Sequence, residues 1–307
     1  MKPPHKIKHM PLGLNRSHVL AVFFILWTIT LSSIPDNLAV ISDYFSFFFL
    51  GILGALFANA TGAGGGVVFI PMFNQLGFTD IQAVATSFSI QCFGMTAGAL
   101  AWFRSYQKET QPLATWQSFW PIIMVTSLTS ILGLWTAYLS NIHAPAALHE
   151  SFSLFSIALG IGILVSVYVA HQGKPREKAP FIDLIALALI GYFGGLITAW
   201  LSVGVGELMA IYLIIRRYEV AFAVATAVLV SAFTVWASTV QHWLIDPQYY
   251  WQVILFAGPG ALLGGVAGRK VVSYLPARRL KIFFALWILI VGISTSGIPD
   301  LIKSWWQ

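Results

Sequence analysis

The sequence predicts an all-α polytopic membrane protein. It is built from two inverted-topology repeats, each a glycine-broken helical hairpin plus three transmembrane helices, with one extra helix in front. Three observations predict this. Of 307 residues, 58% are hydrophobic and only 9% charged, against roughly 25% charged in a soluble domain, so lipid must face much of the chain. The apolar residues fall in runs of helical length, where about 20 residues span a bilayer core; the ~10-residue alternating segments of a membrane barrel do not occur. The second half of the chain also repeats the first.

In chain order, the apolar runs are His18–Ile34, Tyr44–Ala60, Val67–Leu76, Ile81–Phe103, Trp116–Ser140 and Phe152–Ala170. After a polar loop come Phe181–Val203, Leu208–Ile215, Val220–His242, Trp251–Gly268 and Leu280–Gly297. Glycine clusters separate the second run from the third and the seventh from the eighth. Asp36–Asp43 reads as a loop. The basic stretch Met1–Arg16 precedes an apolar run with no small-residue cleavage site behind it, so the first helix is expected to be retained.

The duplication shows when Gly51–Leu100 is laid over Gly191–Val240 at a constant offset of 140. Gly51, Gly54, Gly64 and Gly66 fall on Gly191, Gly194, Gly204 and Gly206, and the block Ala83-Val84-Ala85-Thr86 falls on Ala223-Val224-Ala225-Thr226. Leu148, Leu154, Gly160 and Ile161 match Leu280, Leu286, Gly292 and Ile293 at an offset of 132. The division is residues 1–42 (N-terminus and first helix), 43–173 (repeat 1) and 181–300 (repeat 2). Four matched glycines and one contiguous block exceed what apolar composition alone produces, and internal repeats are common in transporters.

Charge gives the orientation. Lys2, Lys6, Lys8 and Arg16, the loop Lys174–Lys178, and Arg269, Lys270, Arg278, Arg279 and Lys281 are basic, whereas Asp36–Asp43, Asn141–Glu150 and Asp246–Tyr250 carry no Lys or Arg. The positive-inside rule places the basic group, N-terminus included, in the cytoplasm. If each glycine-broken pair enters and returns, a repeat makes an odd number of crossings and the second repeat is inverted; Arg104, Lys108, Arg216 and Arg217 then also lie inside. If each broken pair crossed fully, Lys174–Lys178 would lie outside. The charges select the re-entrant arrangement and a multi-pass protein of the inner or plasma membrane.

The chemistry concentrates at the breaks: Asn59-Ala60-Thr61-Gly62-Ala63-Gly64-Gly65-Gly66, then Pro71 and Ala83–Ser87; and Ser202-Val203-Gly204-Val205-Gly206-Glu207, then Ala223–Thr226. Glycines this dense stop a helix, and irregular backbone at membrane depth survives only inside protein or beside water. Helices restarting near Gly66 and Gly206 present free N–H groups and the positive dipole end, which suit an anion. Two such ends meeting near the midplane make a substrate site. The candidate substrate-binding residues are Asn59, Thr61, Gly62, Gly64, Gly65, Gly66, Thr86, Ser87 and Gln91 from the first repeat. Ser202, Gly204, Gly206 and Thr226, with Ser231, come from the second. Gly51, Gly54, Gly191 and Gly194 read instead as close-packing glycines, and any one of the hydroxyls has the alternative of bonding back to its own helix.

The glycine-rich break, Pro71 and Ala83-Val84-Ala85-Thr86-Ser87, with the weaker copy in the second half, resemble the TauE/SafE family of sulfite exporters and related sulfonate permeases. The resemblance runs from about Phe45 to Gly297. It implies secondary active transport of a small anion, a sulfonate or sulfur oxyanion such as sulfite, sulfoacetate, thiosulfate or sulfolactate. The chain departs from the family pattern at Gly204-Val205-Gly206-Glu207, where a carboxylate replaces part of the glycine run.

An ionisable residue at membrane depth is a functional candidate, so Glu207 is read as the coupling site for a proton or sodium; the alternative has it near the membrane face, paired with Arg216 or Arg217. Cys92 has two readings, a buried apolar group or a thiol contact to a sulfur substrate. His242 reads as interfacial, as do tryptophans 102, 116, 120, 243, 251, 305 and 306. No Gly-x-x-x-x-Gly-Lys-Ser/Thr loop, His-Glu-x-x-His or Gly-x-Ser-x-Gly is present and cysteine occurs once, so no ATPase activity of the P-loop type, metal, cofactor or enzymatic function is expected. The net charge of +6 reads as loop topology rather than nucleic-acid binding. The expected partners are a small anion, a coupling ion and the bilayer, with a homodimer left open. The reading is a carrier working by alternating access at a midplane site. An anion channel with the same site and a non-transporting scaffold subunit are its competitors.

Overall fold

A computed structural model describes residues 16–108, 117–144, 147–169, 176, 178–274 and 277–296. Trp116, Trp305, Trp306, the N-terminal lysines and the basic loop from Lys174 to Pro175 lie outside the described residues. Among the described residues the regular structure is entirely helical, with twelve α-helices and one π turn.

The chain divides into two compact units, residues 1–43 and 44–307. The first carries α1 (Arg16–Ser32) and most of α2 (Asn37–Tyr44), with a bend of 117° between them. The expected loop over Asp36–Asp43 is therefore mostly helix. Asp36 takes a left-handed φ of 55°, and its carbonyl accepts the N–H groups of Ala39 and Val40, which starts the new helix.

The second unit contains α3 (Ser46–Thr61), α4 (Gly66–Gln75), α5 (Asp80–Lys108), α6 (Phe119–Leu139) and α7 (Leu148–Val169). They are followed by α8 (Phe181–Leu201), α9 (Val205–Ile215), α10 (Val220–Val240), the π turn Gln241–Ile245, α11 (Trp251–Tyr274) and α12 (Ala277–Thr295). Six of these helices, α5, α6, α7, α8, α10 and α11, are long and apolar enough to cross a membrane. Helices α5 and α11 continue past their apolar stretches into Arg104–Lys108 and Arg269–Tyr274, because hydropathy marks the lipid-facing part of a helix and not its hydrogen-bonded length.

Helix α10 is buried along nearly its whole length and packs against α5, α6 and α9, while α3 packs on α11, α6 on α8 and α7 on α12. Small residues permit these approaches: a Cβ at Gly51 would strike the Ala257 carbonyl, and one at Gly133 the Tyr192 carbonyl. Gly54, Gly191 and Gly194 are equally tight, against the Phe69 ring, Thr129 and Val205.

Backbone detail recurs at the offset found in the sequence. Left-handed residues fall at Gly62 (φ 82°) and Ser202 (φ 57°), and again at Gly77 (φ 78°) and Arg217 (φ 67°). The Gly62 and Ser202 N–H groups bond to the carbonyls of Ala58 and Thr198. Helices α4 and α9 end in the same paired closure: Phe78 to Phe73 and Gly77 to Asn74 in one, Tyr218 to Leu213 and Arg217 to Ile214 in the other. Two orphan carbonyls are satisfied each time.

Candidate functional site

Two helix breaks meet in the interior of the second unit. Helix α3 stops at Thr61, turns through Gly62 and resumes as α4 at Gly66; α8 stops at Leu201, turns through Ser202 and resumes as α9 at Val205. The breaks touch backbone to backbone. A Cβ on Gly66 would run into the Ser202 carbonyl oxygen, and one on Gly206 into that of Gly62. Glycine is required at both positions by this approach rather than by φ.

Broken helices expose N–H groups that must find acceptors. Glu207, only 3% exposed, supplies two of them. Its Oε1 accepts the Gly64 N–H at 2.6 Å and its Oε2 the Gly204 N–H at 2.8 Å, so one carboxylate bridges both breaks. The Gly65 N–H donates to Gln91 Oε1 at 2.8 Å. Gln91 Nε2 in turn donates to Ser202 Oγ (2.8 Å), the Ser202 carbonyl (3.1 Å) and Ser87 Oγ (3.1 Å), and Ser202 Oγ donates to Ser87 Oγ at 2.9 Å. The Val205 N–H donates to Thr198 Oγ1 at 3.0 Å. Backbone amides on a carboxyl group make strong hydrogen bonds, and here they take the place of water around a buried side chain.

Of the residues expected at the site, Gly62, Gly64, Gly65, Gly66, Ser87, Gln91, Ser202, Gly204, Gly206 and Glu207 gather at this crossing. Others are committed elsewhere. Thr86 Oγ1 accepts the Tyr250 N–H at 2.9 Å and so holds the segment entering α11. Thr226 Oγ1 bonds back to the carbonyls of Phe222 and Ala223, and Thr61 Oγ1 to that of Phe57 while accepting the Ala63 N–H. Asn59 joins α3 to α5 through Nδ2 on the carbonyls of Ala55 and Gly94. Ser231 Oγ is buried without a hydrogen-bond partner, next to the position a Gly206 Cβ would fill. The pairing of Glu207 with Arg216 or Arg217 does not form; its partners are backbone N–H groups. Trp102 is no interfacial belt residue either: it is buried, donates to the Asn59 carbonyl at 3.0 Å and lies 5.8 Å beneath the Arg269 guanidinium.

Sequence reasoning missed three features. Asp183, fully buried in the first turn of α8, accepts hydrogen bonds from Tyr212 (2.9 Å), Tyr218 (2.7 Å) and Arg216 (Nε, 2.8 Å; Nη2, 2.7 Å). A lone Asp opening an apolar run was the available signal. Along α6 and α10, Ser130 meets Thr234 at 2.7 Å, and Tyr138 meets Ser238 at 2.6 Å and His242 at 3.2 Å; the spacing of 234, 238 and 242 put them on one helical face. Between α5 and the end of α10, Trp243 donates to Ser89 and Trp236 to Thr96, both at 2.8 Å, and Cys92 Sγ lies 2.9 Å from Thr239 Oγ1. These residues, with Phe93 and Leu262, line a cleft of ≈ 210 Å³. Cys92 faces that cleft, and its thiol is already partnered.

The model of the family described as sulfite exporter TauE/SafE matches residues 47–295, which include both breaks and all of α4 to α11. The chain belongs to the TauE/SafE family. It is also 20% identical over 269 residues to a probable membrane transporter protein, YunE, of Bacillus subtilis (strain 168), a match covering 79% of this chain and 93% of that protein. No solved structure matches. A TauE/SafE chain with six helices of spanning length and composition is a multi-pass membrane protein of a transporter family. Among the described residues no group of three or more His, Cys, Asp or Glu is placed to hold a metal ion.

Proposed function

We propose that this TauE/SafE protein is a secondary carrier for a small sulfur oxyanion or sulfonate, working by alternating access at the crossing of the two breaks. The observation that carries the reading is the Glu207 carboxylate held at once by the Gly64 and Gly204 amides. A point where N–H groups from both breaks converge on an anionic group is a point suited to an anionic substrate. The substrate-binding set is Gly62, Gly64, Gly65, Gly66, Ser87, Gln91, Ser202, Gly204 and Gly206, with Asn59, Thr61, Thr86 and Thr226 supporting the helices around it. Glu207 is the coupling residue.

In this reading α3–α7 and α8–α12 are inverted repeats (residues 43–173 and 181–300), and each broken pair is a re-entrant hairpin. Several contacts support it. Phe47, at the start of α3, and Phe73, near the end of α4, have ring centroids 6.4 Å apart. Asp183 at the start of α8 bonds Arg216 just after α9. Such contacts are those expected of two arms that return to one end. The equivalent helices α5 and α10 are joined at Ser89–Trp243, Cys92–Thr239 and Thr96–Trp236, an antiparallel register. A two-fold axis lying in the membrane plane makes equivalent helices antiparallel, whereas one along the membrane normal makes them parallel. The Arg216–Asp183 pair, the Ala179-to-Ser118 bond and Arg269 beside Ser105 gather basic residues at one end, which the positive-inside rule makes cytoplasmic in an inner or plasma membrane.

The test is uptake of labelled sulfite, sulfoacetate and thiosulfate into liposomes containing the purified protein, with and without an imposed pH gradient. Saturable flux that Gln91→Ala strongly reduces is expected. Flux of none of these anions, or flux indifferent to the substitution, overturns the assignment.

A further inference from the structure

The two amides that hold Glu207 are the ones from which the proposed anion site is made. Gly64 and Gly204 belong to different breaks, yet each gives its N–H to one oxygen of the same carboxylate, at 2.6 and 2.8 Å. That carboxylate hangs from a flexible side chain on the first turn of α9 and is held by backbone N–H groups alone. Next to Gly206, the residue before Glu207, lies a buried donor with nothing to bond: Ser231 Oγ, in a residue 4% exposed and without a partner. At the repeat-equivalent position Gln91 is fully engaged, with Gly65, Ser87 and Ser202. The crossing therefore holds one anionic group and one spare hydroxyl.

The groups around Glu207 are neutral or committed elsewhere. From α5 come the Gln91 amide and Ser87 hydroxyl, from the α8–α9 break Ser202, and from α10 Ser231 and Thr226, none of them charged. The Cys92 thiol on α5 is bonded to Thr239. Asp183, on α8, is bound by Tyr212, Tyr218 and Arg216, and on α7 Glu150 is exposed beside His149. Along the described parts of α3 and α4 there is no titratable side chain. Among the described residues no neighbouring cation would remain to balance the Glu207 carboxylate once it left its two amides, and an unpaired charge at membrane depth is strongly disfavoured.

We propose that Glu207 is a tethered resident anion: the substrate's anionic head replaces it on the Gly64 and Gly204 amides and takes the Ser231 hydroxyl as a further donor, while the displaced carboxylate binds one proton from water. The inference rests on the carrier reading and specifies how that carrier couples. One proton enters for each anion bound, so transport of a monoanion by this route is electroneutral. Affinity falls about tenfold per pH unit wherever Glu207 is ionised in the empty protein, because binding one anion then consumes one proton.

The test uses the purified full chain and methanesulfonate, a strong-acid monoanion whose own charge is constant between about pH 6 and pH 8. Binding is followed by calorimetry, and proton uptake by an indicator in weak buffer. The expected result for the wild type is about one proton taken up per anion and about tenfold weaker binding per pH unit. Glu207→Gln should take up none, bind with pH-independent affinity, and bind at least as tightly as the wild type does at its most favourable pH. Glu207→Asp, the variant to use if the glutamine form fails to fold, keeps the proton uptake but binds more tightly than wild type, since the shorter arm competes less well. Ser231→Ala weakens binding about fivefold, one ordinary hydrogen bond, and leaves proton uptake unchanged. Anion binding by the wild type without proton uptake, or proton uptake that survives in Glu207→Gln, overturns this inference and leaves the carrier intact. Absence of binding by any small anion, thiosulfate included, overturns both.

Discussion

The two broken helix pairs share a backbone and differ in their side chains. Both turn through a left-handed residue, at Gly62 and Ser202, and both end in a second one, at Gly77 and Arg217. The α3–α4 pair then closes with aromatic rings: Phe73 stacks on Phe78 at 4.9 Å, and Phe78 meets Tyr250 at 4.7 Å. The α8–α9 pair closes with a buried carboxylate, Asp183, and three polar donors. At the crossing the division repeats. Each pair contributes an amide, Gly64 and Gly204, but only the second contributes a carboxylate, Glu207, where the first has Val67 at the equivalent position. The two pairs thus share what the backbone needs in order to break and cross, and differ in side-chain chemistry.

The sharpest way to break that comparison is at the two closures. Asp183→Ala leaves Arg216 and two tyrosine hydroxyls without their shared acceptor, and loss of one partner from a buried charged cluster costs about 3–5 kcal/mol. Phe78→Leu, the matching change in the other pair, keeps most of the apolar volume and costs about 1 kcal/mol. Thermal unfolding of the detergent-solubilised protein should show a large fall for the first and a small one for the second; equal falls would mean that the closures do equivalent work.

The crossing itself comes next. Gly66→Ala and Gly206→Ala each drive a methyl group into a carbonyl oxygen of the opposite break, at a cost of about 1–3 kcal/mol. The two effects should be alike, because each methyl position meets a carbonyl oxygen of the opposite break equally closely. A harmless alanine at either glycine would show that the breaks stand farther apart.

The smallest effect belongs to Ser231, and it contrasts with that of its counterpart Gln91. Gln91→Ala deprives the buried Gly65 N–H and Ser202 oxygens of their partner and costs about 1–3 kcal/mol. Ser231→Ala removes a hydroxyl that has no partner and should leave the melting temperature unchanged or slightly raised. A substantial loss in Ser231→Ala would assign it a hydrogen bond in the empty protein.

Much of the helical framework was legible because it depends on local pattern and on repetition. The runs broken at Gly62–Gly66 and Ser202–Gly206 became helix pairs interrupted at those residues, and the offset of 140 reappears in the backbone angles. The site was only half legible. The glycines declared the breaks, but the partners that join one break to the other, Gly64 for Glu207 and Ser202 for Gln91, lie 143 and 111 residues away in the chain, beyond any periodic signal. The block Ala83-Val84-Ala85-Thr86 and its copy also share a packing role that their letters do not declare: Ala83, Ala85, Ala223 and Ala225 are completely buried. The line of Ser130, Tyr138, Thr234, Ser238 and His242 escaped notice because single hydroxyls in apolar helices ordinarily bond back to their own backbone, and only the packing of α6 on α10 distinguishes these.

The most direct test of the central claim, anion carriage at the crossing, is counterflow. Liposomes bearing the protein are loaded with unlabelled sulfite, diluted into labelled sulfite, and followed over time. A carrier whose site lies at the crossing gives transient accumulation of label above its equilibrium level. That overshoot should disappear in Gln91→Ala and persist in Ser127→Ala, which removes a buried hydroxyl on α6. Equilibration without an overshoot would contradict the carrier, and an overshoot equal in both variants would place the site away from the crossing.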